Sequence, residues 1–212
     1  MLASGEGSNL QALIDAIADG AVDARLVGVF SDRAGARALD RACAAVVPAQ
    51  ALSPKAFAHR AAFDAALFDA IDAATPDLIV CAGYMRLIGS EVLVSRGGRL
   101  VNIHPSLLPA YKGLHTHARV LADGARMHGA SVHYVTADLD GGPVLAQAMV
   151  RVHAGDDADT LAARVLAREH PLLVATVAWL CAGRLTLAGG RVRLDGRPLA
   201  APLQLGANRG FA

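Results

Sequence analysis

The stretch Asn102-Ile103-His104-Pro105-Ser106-Leu107-Leu108-Pro109 follows Arg99-Leu100-Val101, the start of a predicted buried strand, and stops that strand abruptly. Alternate side chains of a strand share a face, so Asn102 and His104 point the same way while Ile103 points into the core. Pro105 cannot donate to a sheet ladder and ends the strand. The pattern predicts an amide and an imidazole at the carboxyl end of a strand, where open α/β folds bind ligands. Such a pair suits a reaction that develops negative charge on a carbonyl oxygen and moves a proton.

Strand-like and helix-like segments alternate before this stretch. Residues 25–31 and 78–82 are short apolar runs without polar alternation, which is typical of strands covered on both faces. Residues 9–19 have helical spacing, and a second helix is predicted from Ser53-Pro54 to about residue 74. The order βαβαβ predicts an α/β fold with a doubly wound, mainly parallel sheet.

The pattern changes after Gly129. Strands are predicted over residues 131–135 and 144–152, followed by a helix over residues 157–181. Two short apolar runs around Gly189-Gly190 then predict a C-terminal antiparallel hairpin.

The first strand is unusually short. Only Leu2-Ala3-Ser4 precedes a glycine-rich loop, whereas strands usually have ~5–6 residues, so we expect a weakened sheet at this point. No repeat or linker divides the chain, and a single domain is expected over residues 1–212.

Composition limits the function classes. The chain has 212 residues, 54% of them hydrophobic, with a mean hydropathy of +0.38 and a formal charge of +1. So small a charge argues against nucleic acid as a partner. The start lacks the basic and apolar regions of a signal peptide, and no apolar run approaches the ~20 residues of a membrane span. Three cysteines without metal-ligand spacing indicate reduced thiols, and we expect a cytoplasmic protein with no membrane partner.

The loop Gly5-Glu6-Gly7-Ser8-Asn9 lies between the first strand and the first helix. Its glycines permit a tight turn, and the free amides at a helix start can hold a phosphate. Ser8 and Asn9 could equally be plain helix caps. A dinucleotide site is disfavoured because no third glycine completes G-x-G-x-x-G, although Asp32 at the end of the next strand imitates the acid that would hold a ribose.

Asp140 lies in the turn Asp138-Leu139-Asp140-Gly141-Gly142-Pro143. A turn aspartate often only bonds its own backbone, and a strand-end histidine such as His104 is often a satisfied core residue. If the two side chains are close, the carboxylate favours imidazolium, so we expect a raised pKa at His104.

Several sequence motifs of this chain resemble those of the folate-dependent formyltransferases. The resemblance is carried by residues 102–109 and by four further stretches: Tyr111-Lys112-Gly113-Leu114-His115-Thr116-His117, Gly5-Glu6-Gly7-Ser8-Asn9, Ala82-Gly83-Tyr84-Met85-Arg86 and Leu139-Asp140-Gly141-Gly142-Pro143. Within that family the chain is most similar to the enzymes that formylate phosphoribosylglycinamide (GAR). The resemblance implies a Rossmann-like formyltransferase fold and direct transfer of the formyl group of 10-formyltetrahydrofolate to the GAR amine, a step of purine biosynthesis. It also implies small-molecule substrates, no metal, and a monomer or homodimer.

The resemblance assigns roles to particular residues. Asn102 and His104 would stabilise the oxyanion, and Asp140 would tune His104 and assist proton transfer. The first half of the chain, about residues 1–100, would bind the phosphate and the second half, about 101–212, would hold folate and carry out catalysis. The expected substrate-binding residues are Gly7, Ser8, Asn9 and Glu169, and the expected folate-binding residues are Arg60, Met85, Arg86, Leu87, Ile88 and Asn102. Leu166 departs from the polar residue often found there, which puts one substrate contact in doubt.

Several alternatives stay open. His115-Thr116-His117 could chelate a metal, with His133 and His104 as further imidazoles, but no carboxylate or cysteine set accompanies them. The same residues resemble a loop that closes over the substrates. A formyltetrahydrofolate hydrolase, a methionyl-tRNA formyltransferase, a nicotinamide oxidoreductase and a non-catalytic folate-binding module are the other functional hypotheses. The first two carry an extra domain in their families, for which 212 residues leave no room.

Overall fold

The computed structural model describes residues 1–208, 210 and 211. The helices are α1 (Ser8–Ala18), α2 (Arg37–Ala44), α3 (Arg60–Ala73), α4 (Ser90–Val94), α5 (Thr116–Ala122) and α6 (Ala158–Cys181), with a 3-10 turn at Pro54–Ala56. The strands are β1 (Val29–Ser31), β2 (Ala49–Ala51), β3 (Ile79–Ala82), β4 (Leu100–His104), β5 (Met127–Tyr134), β6 (Val144–Arg151), β7 (Leu185–Ala188), β8 (Arg191–Leu194), β9 (Arg197–Pro198) and β10 (Leu203–Gln204).

The central sheet is mixed but mainly parallel. Its strands lie in the order β2-β1 and β3-β4-β5-β6-β10, and only β5 runs against its neighbours. Leu2 joins the two parts through parallel bridges to Phe30 of β1 and Cys81 of β3. The predicted α/β fold with a mainly parallel sheet is confirmed.

The segment of residues 1–4 is short but fully hydrogen-bonded to both neighbours. The Leu2 amide donates to the Val80 carbonyl (2.8 Å), and the Leu2 carbonyl accepts from Ala82 (3.0 Å). On the other side the Ala3 amide donates to the Phe30 carbonyl (3.1 Å). Three residues of the glycine-rich loop later α1 begins, so this segment places the loop at the carboxyl edge of the sheet.

Two predicted elements are shorter than expected. A strand was predicted over residues 25–31, but β1 covers only its last three residues, and the residue before it, Gly28, accepts at its carbonyl from the Met1 amino group. A helix was predicted from Ser53 to residue 74, but Phe57 is extended and α3 begins only at Arg60. The His59 side chain accepts a hydrogen bond from the Ala62 amide and caps this later start.

Helices cover both faces of the sheet. On one face α6 packs on β5 and β6 and α1 packs beside α6, with Leu161, Val165 and Leu172 fully buried. On the other face α3 contributes Phe63 and Leu67 to a separate apolar cluster. Burial of a large apolar side chain contributes about 1.5–3 kcal/mol, so both layers hold the strands in place. In the described part of the chain no helix has the length and apolarity needed to cross a membrane.

The predicted C-terminal hairpin is confirmed. β7 pairs antiparallel with β8 through the turn at Gly189 and Gly190, both at positive φ, and β9 extends the pair into a three-stranded meander. A cavity of about 560 Å³ opens between this meander and the amino ends of the central strands. It contains neither Asn102 nor His104, because these residues lie at the opposite, carboxyl edge of the sheet.

Candidate active site

Asn102 and His104 lie at the carboxyl end of β4, as strand alternation predicted. Ile103 between them is buried in the main core cluster, whereas Asn102 is half-buried and faces the neighbouring strand. His104 is only 6% exposed. Pro105 follows at once, and the chain leaves the sheet.

The loop after His104 is fixed by polar contacts from the next two strands. Ser131 lies opposite His104 in β5, and its hydroxyl donates to the Ser106 carbonyl (2.7 Å) and accepts from the Leu108 amide (3.0 Å). The Gln147 side chain of β6 donates to the Leu108 carbonyl (2.9 Å). These buried bonds give the backbone at His104 little freedom.

Both ring nitrogens of His104 have partners. Nε2 lies 3.0 Å from the Tyr111 carbonyl oxygen, and Nδ1 lies 3.4 Å from Oδ2 of Asp140. Both of these oxygens only accept, and a neutral ring has a single N–H, so the shorter contact, to the Tyr111 carbonyl, places that proton on Nε2. Burial lowers the pKa of His104 by more than the Tyr111 carbonyl and Asp140 raise it. The expected raised pKa is therefore wrong in its net direction, since desolvation of the ring outweighs the carboxylate.

Asp140 connects the histidine to a second loop. Its Oδ2 accepts from the Gly113 amide (2.9 Å), and its Oδ1 lies 3.6 Å from Nε2 of His133. Burial alone would raise the pKa of Asp140, but the His133 ring, the Gly113 amide and His104 outweigh it and hold the pKa below its usual range. The carboxylate is thus an anion that lies between two imidazole rings.

The turn that carries Asp140 passes very close to β5. A Cβ added at Gly142 would lie 1.9 Å from the Tyr134 carbonyl oxygen, so only glycine fits there. Asp140 itself has a positive φ of 45°, an uncommon conformation for a residue with a side chain. This local strain lies at the residue that faces both histidines, where strained backbone is often functional.

The glycine-rich loop leaves the start of α1 without a side-chain cap. Gly7 occupies the N-cap position with φ 71°, and a Cβ there would lie 2.7 Å from the Cα atom of Ala38. The first amides of the helix are therefore not capped by the preceding residue's side chain. An uncapped helix start with its partial positive charge is suited to an anion such as phosphate.

Asn9 connects this loop to Glu169 of α6, 160 residues further along the chain. The Asn9 amide nitrogen donates to Oε2 of Glu169 (2.9 Å), while its Oδ1 is buried and has no partner among the described residues. Burial raises the pKa of Glu169 more than the Asn9 bond lowers it. Two of the predicted substrate-binding groups are therefore in direct contact.

The segment of residues 85–88 follows β3 and is anchored at its start. The Met85 amide donates to the Ser4 hydroxyl (3.2 Å), and that hydroxyl donates to the buried carboxylate of Asp32 (2.6 Å). Met85 and Leu87 are more than half exposed, Ile88 is half-buried, and the guanidinium of Arg86 lies 5.3 Å from the ring centre of Phe63. Exposed apolar side chains on a fixed backbone are suited to a flat aromatic ligand.

Arg60 is at the first turn of α3 and pairs with Asp64. Its Nε donates to Oδ2 of Asp64 (3.3 Å), and the same oxygen accepts from the Gly89 amide (3.0 Å). Arg60 is therefore joined to the end of the 85–88 segment through one buried carboxylate, which brings these predicted folate-binding residues together.

The His117 side chain contacts a buried histidine, His128. Its Nδ1 lies 3.0 Å from Nε2 of His128, which is 1% exposed. His115 precedes α5 and has a positive φ of 57°. Among the described residues no group of three or more histidine, cysteine or acidic side chains could hold a metal ion.

Comparison with known proteins agrees with this geometry. Residues 1–177 match the family model described as formyl transferase. The phosphoribosylglycinamide formyltransferase of Escherichia coli (strain K12) is 45% identical over 199 residues, which are 94% of this chain and 94% of that protein.

The chain belongs to the formyl transferase family. The structure of the phosphoribosylglycinamide formyltransferase from Coxiella burnetii superposes with a TM-score of 0.90 at 46% identity, covering 94% of this chain and 93% of that one. A formyltetrahydrofolate deformylase from Pseudomonas syringae has a TM-score of 0.83 at 22% identity, covering 91% of this chain and 64% of that one, and shows the shared fold alone.

Sequence reasoning missed three partners in this formyl transferase site. His133, the Tyr111 carbonyl and the Gly113 amide each contact Asn102, His104 or Asp140. The pattern Ser131-Val132-His133 on a predicted strand was the available signal for His133. The other two are backbone groups, which carry no residue-type signal.

Proposed function

We propose that this chain transfers the formyl group of 10-formyltetrahydrofolate to the amino group of GAR in purine biosynthesis. One observation carries the proposal: the carboxylate of Asp140 lies 3.4 Å from His104 at the end of β4, two residues from Asn102, in a chain of the formyl transferase family. An amide donor, an imidazole and a carboxylate are the groups that acyl transfer to an amine requires.

GAR would bind between the glycine-rich loop and Glu169. The uncapped start of α1 at Gly7, Ser8 and Asn9 would hold the phosphate. Glu169, which Asn9 contacts, would accept hydrogen bonds from the polar groups of the sugar or glycinamide. The unpartnered Oδ1 of Asn9 supports this placement, because a buried amide oxygen without a partner is costly unless a ligand bonds it.

Folate would bind against the other side of the β4 end. The apolar side chains of residues 85–88 would pack on the pterin ring, and backbone groups of this segment and Asn102 would bond its polar edge. Arg60 is half exposed while paired with Asp64, so its guanidinium can also reach an anionic part of the folate.

Transfer would begin when the GAR amine attacks the formyl carbon and the carbonyl oxygen becomes an oxyanion. An N–H of Asn102 would donate to that oxygen, and one such donor contributes about 2.7–4 kcal/mol to the transition state. The new carbon–nitrogen bond forms on GAR, and the carbon–nitrogen bond to folate breaks. The amine proton passes to the leaving folate nitrogen, so no acyl-enzyme is required.

His104 would relay this proton after the Tyr111 carbonyl leaves Nε2. The ring would then carry its proton on Nδ1, next to Asp140, and present the Nε2 lone pair to the amine. The imidazolium formed in between would be stabilised by Asp140 and could donate to the oxyanion together with Asn102. Such a relay contributes about 10²–10⁴-fold.

The test is an assay that follows folate absorbance with 10-formyltetrahydrofolate, with and without GAR. We expect deformylation only when GAR is present, and its near-complete loss in His104→Ala. Deformylation at the same rate without GAR would instead identify a hydrolase. Unchanged transfer by His104→Ala would contradict the mechanism.

We also propose the compartment and the oligomeric state in which the enzyme works. GAR carries a phosphate and does not cross a bilayer unaided, so the enzyme would act in the cytoplasm. All the groups named above come from one chain, which is consistent with a monomer or a homodimer. Light scattering of the purified protein would distinguish these two states.

A further inference from the structure

His133 is a buried histidine of β5 that has no role in the mechanism above. It pairs directly with Asn102 across the β4–β5 ladder and is only 2% exposed. The β5–β6 register shifts between Val132 and His133, where β6 contributes one extra residue. Irregularities of this kind next to active sites re-aim a side chain.

A backbone contact decides which ring nitrogen of His133 carries the proton. Nδ1 lies 2.9 Å from the Tyr134 carbonyl oxygen, and because that oxygen only accepts, Nδ1 must donate. In the neutral ring Nε2 then has a lone pair and can only accept.

The tautomer of His133 in turn decides the orientation of the Asn102 amide. The group 3.1 Å from Nε2 is Nδ2 of Asn102, which can only donate. If the Asn102 amide were rotated by a half-turn, its oxygen would face the Nε2 lone pair and two acceptors would repel. One N–H of Asn102 is therefore committed to His133, and the other keeps a fixed direction.

We infer that His133 is a positioning residue that orients Asn102, so that the second N–H of Asn102 points at the oxyanion. The inference rests on the proposed function and adds a residue to it. The Tyr134 carbonyl fixes the tautomer of His133, and the His133 ring in turn fixes the Asn102 amide.

The same tautomer keeps Asp140 available to His104. Oδ1 of Asp140 lies 3.6 Å from Nε2 of His133, too far for a hydrogen bond. A proton on that nitrogen would draw the carboxylate to His133 and remove the acceptor that holds Asn102. With Nε2 unprotonated, Asp140 keeps its bond to the Gly113 amide and its place beside His104.

The kinetic test compares His133→Leu with His133→Gln, whose side-chain oxygen can accept from Asn102. We expect His133→Leu to lower kcat by about 10–100-fold, because a misoriented Asn102 amide stabilises the transition state less well. KM for both substrates should change little. His133→Gln should recover much of the loss. The control is Val132→Ala, the adjacent β5 residue on the opposite face, which should lower thermal stability without lowering kcat.

A spectroscopic test does not depend on activity. ¹⁵N NMR of the histidine side chains should show His133 as the neutral ring with its proton on Nδ1. A proton on Nε2 would overturn the inference, as would full kcat in His133→Leu or a His133→Gln variant no better than His133→Leu. A wild-type protein that does not formylate GAR would refute the proposed function, and the NMR result would still decide the tautomer of His133.

Discussion

At the scale of single residues, Asp140 is the side chain that lies beside most of the other polar groups of the site. Its two oxygens face His104, His133 and the Gly113 amide, which belong to β4, β5 and the loop before α5. An anion in this position both orients His104 and stabilises the charge that the ring acquires during the reaction.

Asp140→Asn should therefore lower kcat by about 10²–10⁴-fold with little change in KM, because the amide keeps the shape but not the charge. The Asn oxygen can still accept from Gly113, so the fold should be unaffected. Steady-state kinetics and a melting curve check both parts. Asp138→Asn in the same turn, whose side chain is exposed, is the control and should have wild-type kcat.

Gly7 and Gly5 offer a matched pair in the glycine-rich loop. Gly7→Ala puts a Cβ 2.7 Å from Ala38 at a positive φ, whereas a Cβ at Gly5 meets nothing within 4 Å. We expect Gly7→Ala to cost about 1–3 kcal/mol of unfolding free energy and to raise KM for GAR. Urea denaturation and kinetics measure these effects. Equal behaviour of Gly5→Ala and Gly7→Ala would argue against a phosphate site at this turn.

At the scale of elements, the turn of residues 111–113 covers His104. Tyr111 has a positive φ of 54°, its carbonyl accepts from His104, and the Lys112 carbonyl accepts from Arg119 (2.6 Å). A substrate atom can reach Nε2 of His104 only if the Tyr111 carbonyl withdraws. In the conformation seen here the turn therefore blocks Nε2 of His104.

Substrate binding should consequently change the tautomer of His104. In the free enzyme the proton is on Nε2, and with GAR and tetrahydrofolate bound we expect it on Nδ1, facing Asp140. ¹⁵N NMR of the ring in both states measures this. The same Nε2–H signal in both states would mean that the turn does not open.

The His117–His128 contact joins α5 to β5 beneath the same loop. Burial, together with the nearby His117 and His104, lowers the pKa of His128 to about 4. Burial also lowers the pKa of His117. Two rings held 3.0 Å apart can share one proton but not carry two charges.

At the scale of the whole molecule, this pair links stability to pH. His128 is neutral in the folded protein down to about pH 4, whereas the unfolded chain takes up a proton near pH 6.5. The unfolded state thus binds more protons in this window, and the free energy of unfolding should fall as the pH falls from 6.5 to about 4. The loss between pH 7 and 5 should be about 2 kcal/mol from His128.

Urea denaturation at the two pH values measures that loss. His128→Asn, which is uncharged at both values, should lose about 2 kcal/mol less than the wild type. An identical loss in both proteins would show that His128 is not the group responsible.

The sequence predicted the architecture where local patterns are strong. Apolar runs located β3 and β4, and the long periodic segment located α6 to within a residue. Residues 25–28 look like strand but have no sheet pairing among the described residues, and pairing is not visible in a local pattern. Phe57 interrupts the predicted helix because the His59 cap favours a later start.

The side chains of the candidate site could be predicted from the sequence, but several of their contacts could not. Alternation on one strand gave Asn102 and His104, and family resemblance supplied Asp140. The contacts of His133 and of the Tyr111 carbonyl depend on the register between β4 and β5 and on a loop conformation, so no spacing rule reveals them. The net lowering of the His104 pKa was missed because burial is a property of the folded molecule.

The most direct measurement follows a ¹³C label in the formyl group of 10-formyltetrahydrofolate when the protein is mixed with GAR. The account predicts that the label is found on the GAR amine, without free formate, and that transfer is lost in His104→Ala and strongly slowed in Asp140→Asn. Label released as formate, or transfer that both variants carry out at the wild-type rate, would contradict it.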